Sequence, residues 1–374
     1  MKIGVDIRTL SFRKGGISQY TYNLLKNMAC IDSRNTYYLF NYNKSQFEWD
    51  NFKGNMKEIV VRLPQRYNLK TFWENLLVPS VIRKYGIDVW FSPDFTIPRF
   101  LRIPTVVTIH DLIFKNFHDI EHNKASRQMA SKVDYVIKSA YRIIVPSLYT
   151  REEVLKEYEV EDHKIVMIPE AAEERFHEID DPDILSTVSS RYGIRFPYIL
   201  FVGETSKRKN LFRLMKAYHL LKKEDRAGNR KLVIVGKRTI DTENIIREAD
   251  RLGLAEDILF TGYVPNEDLP FIYNGADVFV FPSLYEGFGI PLLEAMQCGI
   301  PVVASQATSI PEVVGEGALL FNPNNVKEIA KRIDQVINKK IDVDALKEKG
   351  KRQAEKFRWE NAALQTIGVF NRLA

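Results

Sequence analysis

Short runs of apolar, mostly β-branched or aromatic residues punctuate this chain, and longer amphipathic stretches separate them. In the first half they read KIGVDI, TYYLFNY, EIVVR, DVWFS, TVVTIH and RIIVPS; in the second, YILFVG, KLVIVG, ILFTG, DVFVFPS and PVVAS. Continuous apolar runs of this length suit strands of a parallel sheet that helices cover on both faces. Alternation of strand and helix predicts the α/β class. One doubly wound sheet would be unusually large with all of these strands, so they predict two sheets of about five or six strands each. The expected architecture is two Rossmann-like domains facing each other across a cleft.

A length of 374 residues fits that division, and 45% hydrophobic with 27% charged residues is enough to bury a large core. The polar stretch EIDDPDILSTVSSRYGIRFP, 178–197, is the expected junction. The first domain is expected over 1–173 and the second over 174–356. The closing FRWENAALQTIGVFNRLA reads as an amphipathic helix that either ends the second domain or crosses back to the first.

No apolar run approaches the roughly 20 residues of a membrane span. The opening MKIGVDIRTL reads as a strand without a signal peptide, and Cys30 and Cys298 show no metal-ligand spacing. A cytoplasmic protein with reduced thiols is the expectation. The net charge of +6 is modest for this length, and its basic residues are scattered rather than striped with aromatics, which argues against a nucleic-acid partner. Basic clusters at RYNLK and RFLR leave peripheral contact with the inner membrane open. The sequence sets no oligomeric state.

FPSLYEGFGIPLLEAMQCGIPVVAS, 281–305, places Glu286 and Glu294 on either side of a glycine-rich hinge. Pro291 suits a first helical turn and Gly299 a position just past a helix end, so the spacing predicts a helix over about 291–298. Glu294 then falls in its first turn and Glu286 on the preceding loop. Gly287 and Gly289 allow close backbone approach, and N–H groups at a helix start favour acceptor oxygens and phosphate. The pair reads as a ligand grip, or else as a favourable acid at a helix start beside a solvated loop residue. Elsewhere, Arg208 and Lys209 precede a helix expected from about Asn210, Gly15 and Gly16 lie between a strand and a helix, and His110 and Asp111 follow a buried strand. No G-x-G-x-x-G occurs in VGETSK, VGKRTI or the Gly15 loop, so a nicotinamide dehydrogenase is poorly supported.

Residues 262–323, from GYVPNEDLPFIYNGADVFVFPS through LYEGFGIPLLEAMQCGIPVVAS to the FNP at 321–323, resemble the signature region of GT-B retaining glycosyltransferases of family 4. The E-x7-E motif falls on Glu286 and Glu294. FVGETSKRKNLFRLMKAY extends the likeness, as do TIHDL and PEAAEERF, which are similar to mannosyltransferase-like members. FRWENAA resembles the terminal helix that returns to the first domain in this fold. The likeness spans nearly the whole chain and is weakest over 40–100.

This resemblance implies that Arg208 and Lys209 bear on the donor diphosphate, that Glu294 accepts from the ribose hydroxyls, and that Glu286 with the amides of Phe288 and Gly289 holds the sugar. It also implies donor contacts at Gly15, Gly16, Gly203, Val264, Gly287 and Ile290, and places His110 beside the transferred sugar. Many relatives carry an arginine soon after the loop glycine, where this chain has Glu204 and Thr205. With no D-x-D or metal cluster to hold magnesium, the implied reaction is metal-independent and needs no cofactor. The implied function is retaining transfer of a hexose, mannose favoured, from GDP-mannose or a UDP-sugar to a glycan or lipid-linked acceptor in polysaccharide or glycoconjugate synthesis. A nucleotide-sugar epimerase of the same fold and a non-enzymatic anion-binding scaffold are the alternatives.

Overall fold

The structure is a computed structural model that describes residues 1–11, 15–45, 47, 49, 54–62, 70–116 and 124–373. The RYNLK cluster, save the backbone of its last residue, lies outside the described residues. Two compact units divide the chain: residues 1–170 with 358–374, and residues 171–357. Each is a parallel, doubly wound α/β sheet of the Rossmann type, as the strand pattern predicts.

In the first unit the strands are β1 (Lys2–Asp6), β2 (Thr36–Asn41), β3 (Met56–Val60), β4 (Val89–Ser92), β5 (Thr105–Thr108), β6 (Arg142–Val145) and β7 (Ile165–Met167). They lie in the order β3-β2-β1-β4-β5-β6-β7. In the second they are β8 (Tyr198–Val202), β9 (Lys231–Val235), β10 (Ile258–Gly262), β11 (Val278–Phe281), β12 (Val302–Ser305) and β13 (Ala318–Phe321), ordered β10-β9-β8-β11-β12-β13. Strand order reverses between β1 and β4 and again between β8 and β11. Crevices for ligands form beyond the carboxyl ends of strands at such switch points.

The central strands carry the core. All five residues of β8 and all four of β11 are buried, between one apolar cluster around Phe279, Leu292 and Leu293 and another around Leu214, Ile234 and Ile333. The helix Trp359–Asn371 belongs to the first unit, where it packs on the helix Gly16–Ile31 and sets Phe370 against Phe91. The polar stretch 178–197 is not a bare linker. It contains the helix Pro182–Arg191, capped by the Asp181 side chain, and belongs wholly to the second unit.

Candidate active site

At the end of β8 the chain passes Gly203, whose N–H donates to the Val235 carbonyl at 2.8 Å. A Cβ on the neighbouring Gly236, at φ 146, would sit 1.9 Å from the Gly203 oxygen, so only glycine lets these two strand ends touch. A tight turn over Lys207–Lys209 follows, then Asn210 in a left-handed conformation at φ 58, then the helix Leu211–Lys223. Asn210 Nδ2 donates to the carbonyls of Pro282 at 3.0 Å and Pro323 at 2.8 Å, and Leu284 N–H donates to the Arg208 carbonyl at 2.9 Å. The basic turn is thereby fastened to the loop after β11.

That fastening brings Lys209 Nζ within 2.6 Å of Glu286 Oε1 and Arg208 Nη1 within 2.7 Å of Oε2. Glu286 is 8% exposed and Lys209 6%, so neither is the solvated residue that a loop glutamate or a KRK run would suggest. Burial alone would raise the Glu286 pKa, but the charges of Lys209 and Arg208 outweigh it and hold the carboxylate below its ordinary range. The Glu286 backbone is fixed as well. Its N–H donates to Thr308 Oγ1 at 3.0 Å, and the carbonyls of Glu286 and Phe288 share the one proton of Ser309 Oγ at 2.9 and 3.0 Å. Glu204 lies 3.2 Å from Arg208 Nη2, so the acid that replaces the expected arginine draws on the same cation.

The next helix runs over Ile290–Gln297, with Gly289 at φ 111 as its cap and Gly299 at φ 67 just beyond its end. A Cβ at Gly289 would be strained by that φ and would approach Leu292 Cδ1 to 3.0 Å. Because the helix opens at Ile290, Glu294 is its fifth residue and lies past the first turn, contrary to the placement read from Pro291. Its burial, at 7% exposed, removes it from the role of a surface charge at a helix start. The Tyr273 hydroxyl donates to Oε2 at 2.7 Å, and burial, opposed by that bond, pushes the carboxyl up to about 7. Phe288 and Val264 are buried in the apolar core, Phe288 edge-on to Phe357, and Ile290 packs against the same cluster. Their side chains are structural, which leaves backbone groups as what they can offer a ligand.

The first unit holds its own cluster at the ends of β4 and β5. His110 Nδ1 lies 2.8 Å from Glu170 Oε1 and Nε2 lies 2.9 Å from the Pro93 carbonyl, while the Tyr20 ring packs edge-on at 4.6 Å. A neutral imidazole has one N–H, and two acceptors face this one, so the imidazolium satisfies both. Burial lowers the His110 pKa, but the Glu170 bond and charge raise it more, for a net upward shift. Asp94 stands beside this cluster with its carboxyl raised by burial. Gly15 and Gly16 are exposed at the start of the helix Gly16–Ile31; Gly15 is extended at φ 171, and a Cβ at either meets nothing within 4 Å. Packing makes no demand for glycine there.

The structure thus brings Gly203, Arg208, Lys209, Glu286, Gly287 and Gly289 together at the ends of β8 and β11, sets Glu294 on the helix that follows, and places His110 beyond β5 against Pro93 and Glu170. Sequence reasoning missed Tyr273 and Glu170, the partners of Glu294 and His110. Glu170 lies within PEAAEERF, where a carboxylate directly after a proline at a strand end was the available signal; the pairing of Tyr273 with Glu294 has no local signature. Among the described residues no group of three or more histidine, cysteine, aspartate or glutamate side chains could hold a metal ion, and no helix is long and apolar enough to cross a membrane. A buried lysine and a partly buried arginine beside glycine-opened backbone at a helix start suit a ligand with anionic and hydroxyl oxygens.

Comparison with known proteins gives the same picture. Residues 14–176 match the family model described as Glycosyltransferase Family 4, and residues 192–353 match Glycosyl transferases group 1. The chain is 30% identical over 385 residues to O-antigen chain mannosyltransferase B of Escherichia coli, covering 100% of both. It is 31% identical over 281 residues to the serotype-specific mannosyltransferase WbdA of Escherichia coli, which covers 72% of this chain and 33% of that longer protein. In fold it is similar to HepE of Anabaena, crystallised with UDP and glucose, with a TM-score of 0.78 at 18% identity and 100% coverage of both chains. Sucrose-phosphate synthase from Thermosynechococcus elongatus aligns with a TM-score of 0.78 at 20% identity, over 100% of this chain and 99% of that one. A relative matched end to end, joined to the two parallel sheets, shows that the chain belongs to the family 4, group 1 glycosyltransferases of GT-B fold.

Proposed function

We propose that the protein transfers a hexose, mannose in the favoured reading, from GDP-mannose or a UDP-sugar to a glycan or lipid-linked acceptor, with retention of anomeric configuration and without a metal. The observation that carries the reading is the buried Glu286 carboxylate held between Lys209 and Arg208 at the mouth of the second sheet. The mannose preference is supported by the names of the E. coli mannosyltransferases that the chain resembles.

In this reading Arg208 and Lys209 stabilise the departing nucleoside diphosphate, assisted by the positive end of the helix Ile290–Gln297. Glu286 and the amides of Phe288 and Gly289 hold the hydroxyls of the donor sugar. Glu294 accepts from the ribose, and Tyr273 fixes its other oxygen in place. As the anomeric C–O bond breaks, its electron pair passes to the diphosphate. The acceptor oxygen then bonds to the same face of the ring, and its proton passes to a leaving phosphate oxygen. His110, which the resemblance places beside the transferred sugar, has an acceptor at each ring nitrogen, so in this reading it positions the sugar through N–H groups.

The reading locates the protein in a cytoplasmic step of surface polysaccharide or glycoconjugate synthesis. Its test is a panel of nucleotide sugars, scored for binding, for slow donor hydrolysis and for the anomeric configuration of the product by NMR. Turnover with retention in the presence of EDTA supports it. Inversion, or loss of activity in EDTA, refutes the corresponding part, and nucleotide-sugar turnover without any acceptor product points to an epimerase.

A further inference from the structure

Glu204 directly follows Gly203, where the family resemblance leads one to expect an arginine, and it has no part in holding the donor. Its Oε1 lies 3.2 Å from Arg208 Nη2, and at 44% exposed this carboxylate covers the outer edge of the guanidinium. The inner edge is occupied elsewhere: Arg208 Nη1 lies 2.7 Å from Glu286 Oε2 and donates to the Tyr285 carbonyl at 3.1 Å. The Arg208 backbone is held as well, since its carbonyl accepts from Leu284 N–H at 2.9 Å. Arg208 therefore keeps its orientation without Glu204, and what the acid adds is charge.

The backbone on either side of Glu204 is pinned. Before it, Gly203 N–H donates to the Val235 carbonyl; after it, the buried Thr205 donates its N–H to the Lys237 carbonyl at 3.2 Å. The Thr205 carbonyl accepts from Thr239 Oγ1 at 2.6 Å, and its Oγ1 lies 2.5 Å from Thr242 Oγ1. The carboxylate is thus tethered beside Arg208, with only its side chain left to swing. In this cluster Lys209 and Arg208 supply two positive charges and Glu286 and Glu204 two negative ones. The four cancel, so an incoming anion meets less attraction than the two cations alone would exert.

We propose that Glu204 competes with the diphosphate for Arg208 and so loosens the hold on the nucleoside diphosphate product, an inference that rests on the donor-site reading. A partly exposed ion pair is weak and yields to a better partner, and a phosphate that meets the guanidinium through two oxygens is one. The donor diphosphate takes the Nη2 edge, and the Glu204 side chain swings into solvent while its backbone stays fixed. When the anomeric C–O bond breaks, the terminal phosphate gains a second ionisable oxygen, so the product carries more negative charge than the donor. Glu204 repels the product more strongly than the donor and reclaims Arg208 as the product leaves. An arginine at this position would instead tighten the grip on both.

The test is titration calorimetry of the full chain with GDP, UDP, GDP-mannose and UDP-glucose in EDTA, for wild type, Glu204→Gln and Glu204→Arg, each shown by melting to be folded. Affinity for the nucleoside diphosphate that wild type binds should rise roughly threefold to tenfold in Glu204→Gln and further in Glu204→Arg. The gain should be larger for the diphosphate than for its sugar conjugate and should shrink as salt rises. Equal or weaker diphosphate binding in folded Glu204→Gln overturns the proposal and would mark Glu204 as a positioning residue for Arg208. So does magnesium, added in place of EDTA, that tightens diphosphate binding in wild type and not in Glu204→Gln, which would mark a metal ligand. Lys209→Ala separates this inference from the donor site beneath it. If Lys209→Ala weakens binding while Glu204→Gln leaves it unchanged, the donor site stands and the competitor falls; if wild type binds none of the four nucleotides, both fall.

Discussion

Lys209 Nζ and Glu286 Oε1 lie 2.6 Å apart although 77 residues separate them in the chain, and both side chains are buried. Taking two charges out of water is costly, and their attraction offsets that cost only with close geometry and further partners. Here Arg208 is the further partner of Glu286. Removing Lys209 alone, as in Lys209→Met, should destabilise the second unit by about 2–4 kcal/mol, less than for a fully orphaned charge because Arg208 remains. Lys209→Met with Glu286→Gln should recover part of that loss. Urea denaturation of the two single variants and the double variant measures the coupling, and strict additivity would contradict the ion pair.

Glu294 makes a pH prediction. Its folded-state pKa, about 7, lies above the ordinary carboxyl value of 4.5. A raised folded pKa gives stability that is fully present below the unfolded value and is lost as pH rises through the folded one. Wild type should therefore lose on the order of 3 kcal/mol relative to Glu294→Gln between about pH 4.5 and pH 7.5. Denaturation midpoints followed across that window check it. A pH-independent difference between the two proteins would show that the carboxyl is not raised.

His110 carries the same sign for a different reason. Its pKa is raised above 6.5 because the Glu170 bond and charge exceed the effect of burial. The stability it contributes is whole below about pH 6.5 and fades as pH rises through the higher folded value. Glu170→Gln should lower the His110 pKa and cost about 1–3 kcal/mol at pH 6. Imidazole nitrogen NMR reads the outcome directly. Wild type is expected to carry both ring protons at neutral pH, and a single protonated nitrogen there would contradict the imidazolium.

At Gly236 the prediction is steric. An added Cβ would lie 1.9 Å from the Gly203 carbonyl oxygen, and φ 146 already excludes most side chains. Gly236→Ala should force β8 and β9 apart and destabilise by more than about 2 kcal/mol. Gly15→Ala and Gly16→Ala meet open space and should leave the melting temperature nearly unchanged. A Gly236→Ala protein that melts with wild type would show that the contact is not held.

The sequence exposed the central strands and one edge of each sheet, and hid the other edge. Every strand recognised from an apolar run is present, while β7 and β13 escaped notice; each is the last strand of its sheet. Thin cover alone does not separate them, since the recognised edges β3 and β10 are also buried at one residue each; β7 and β13 are shorter, at three and four residues. ALLF is also as compatible with a helix as with a strand. The E-x7-E pair was legible because Pro291 and the glycines fix its setting locally. What joins Glu286 to Lys209, Glu294 to Tyr273 and His110 to Glu170 was not, because each pairing arises from strand order rather than from neighbouring residues. The helix start was misjudged by one residue because Gly289 in its left-handed conformation, rather than Pro291, defines it. That single residue puts Glu294 past the first turn; its burial beside Tyr273 is a matter of packing.

The most direct measurement is the affinity of wild type, Glu294→Ala and Lys209→Ala for GDP-mannose and UDP-glucose by titration calorimetry, each variant first shown to be folded. If the turn at Arg208–Lys209 and the two glutamates form the donor site, wild type binds at least one of the two, and each variant weakens that binding by roughly tenfold or more. Unchanged affinity in both folded variants would contradict the site.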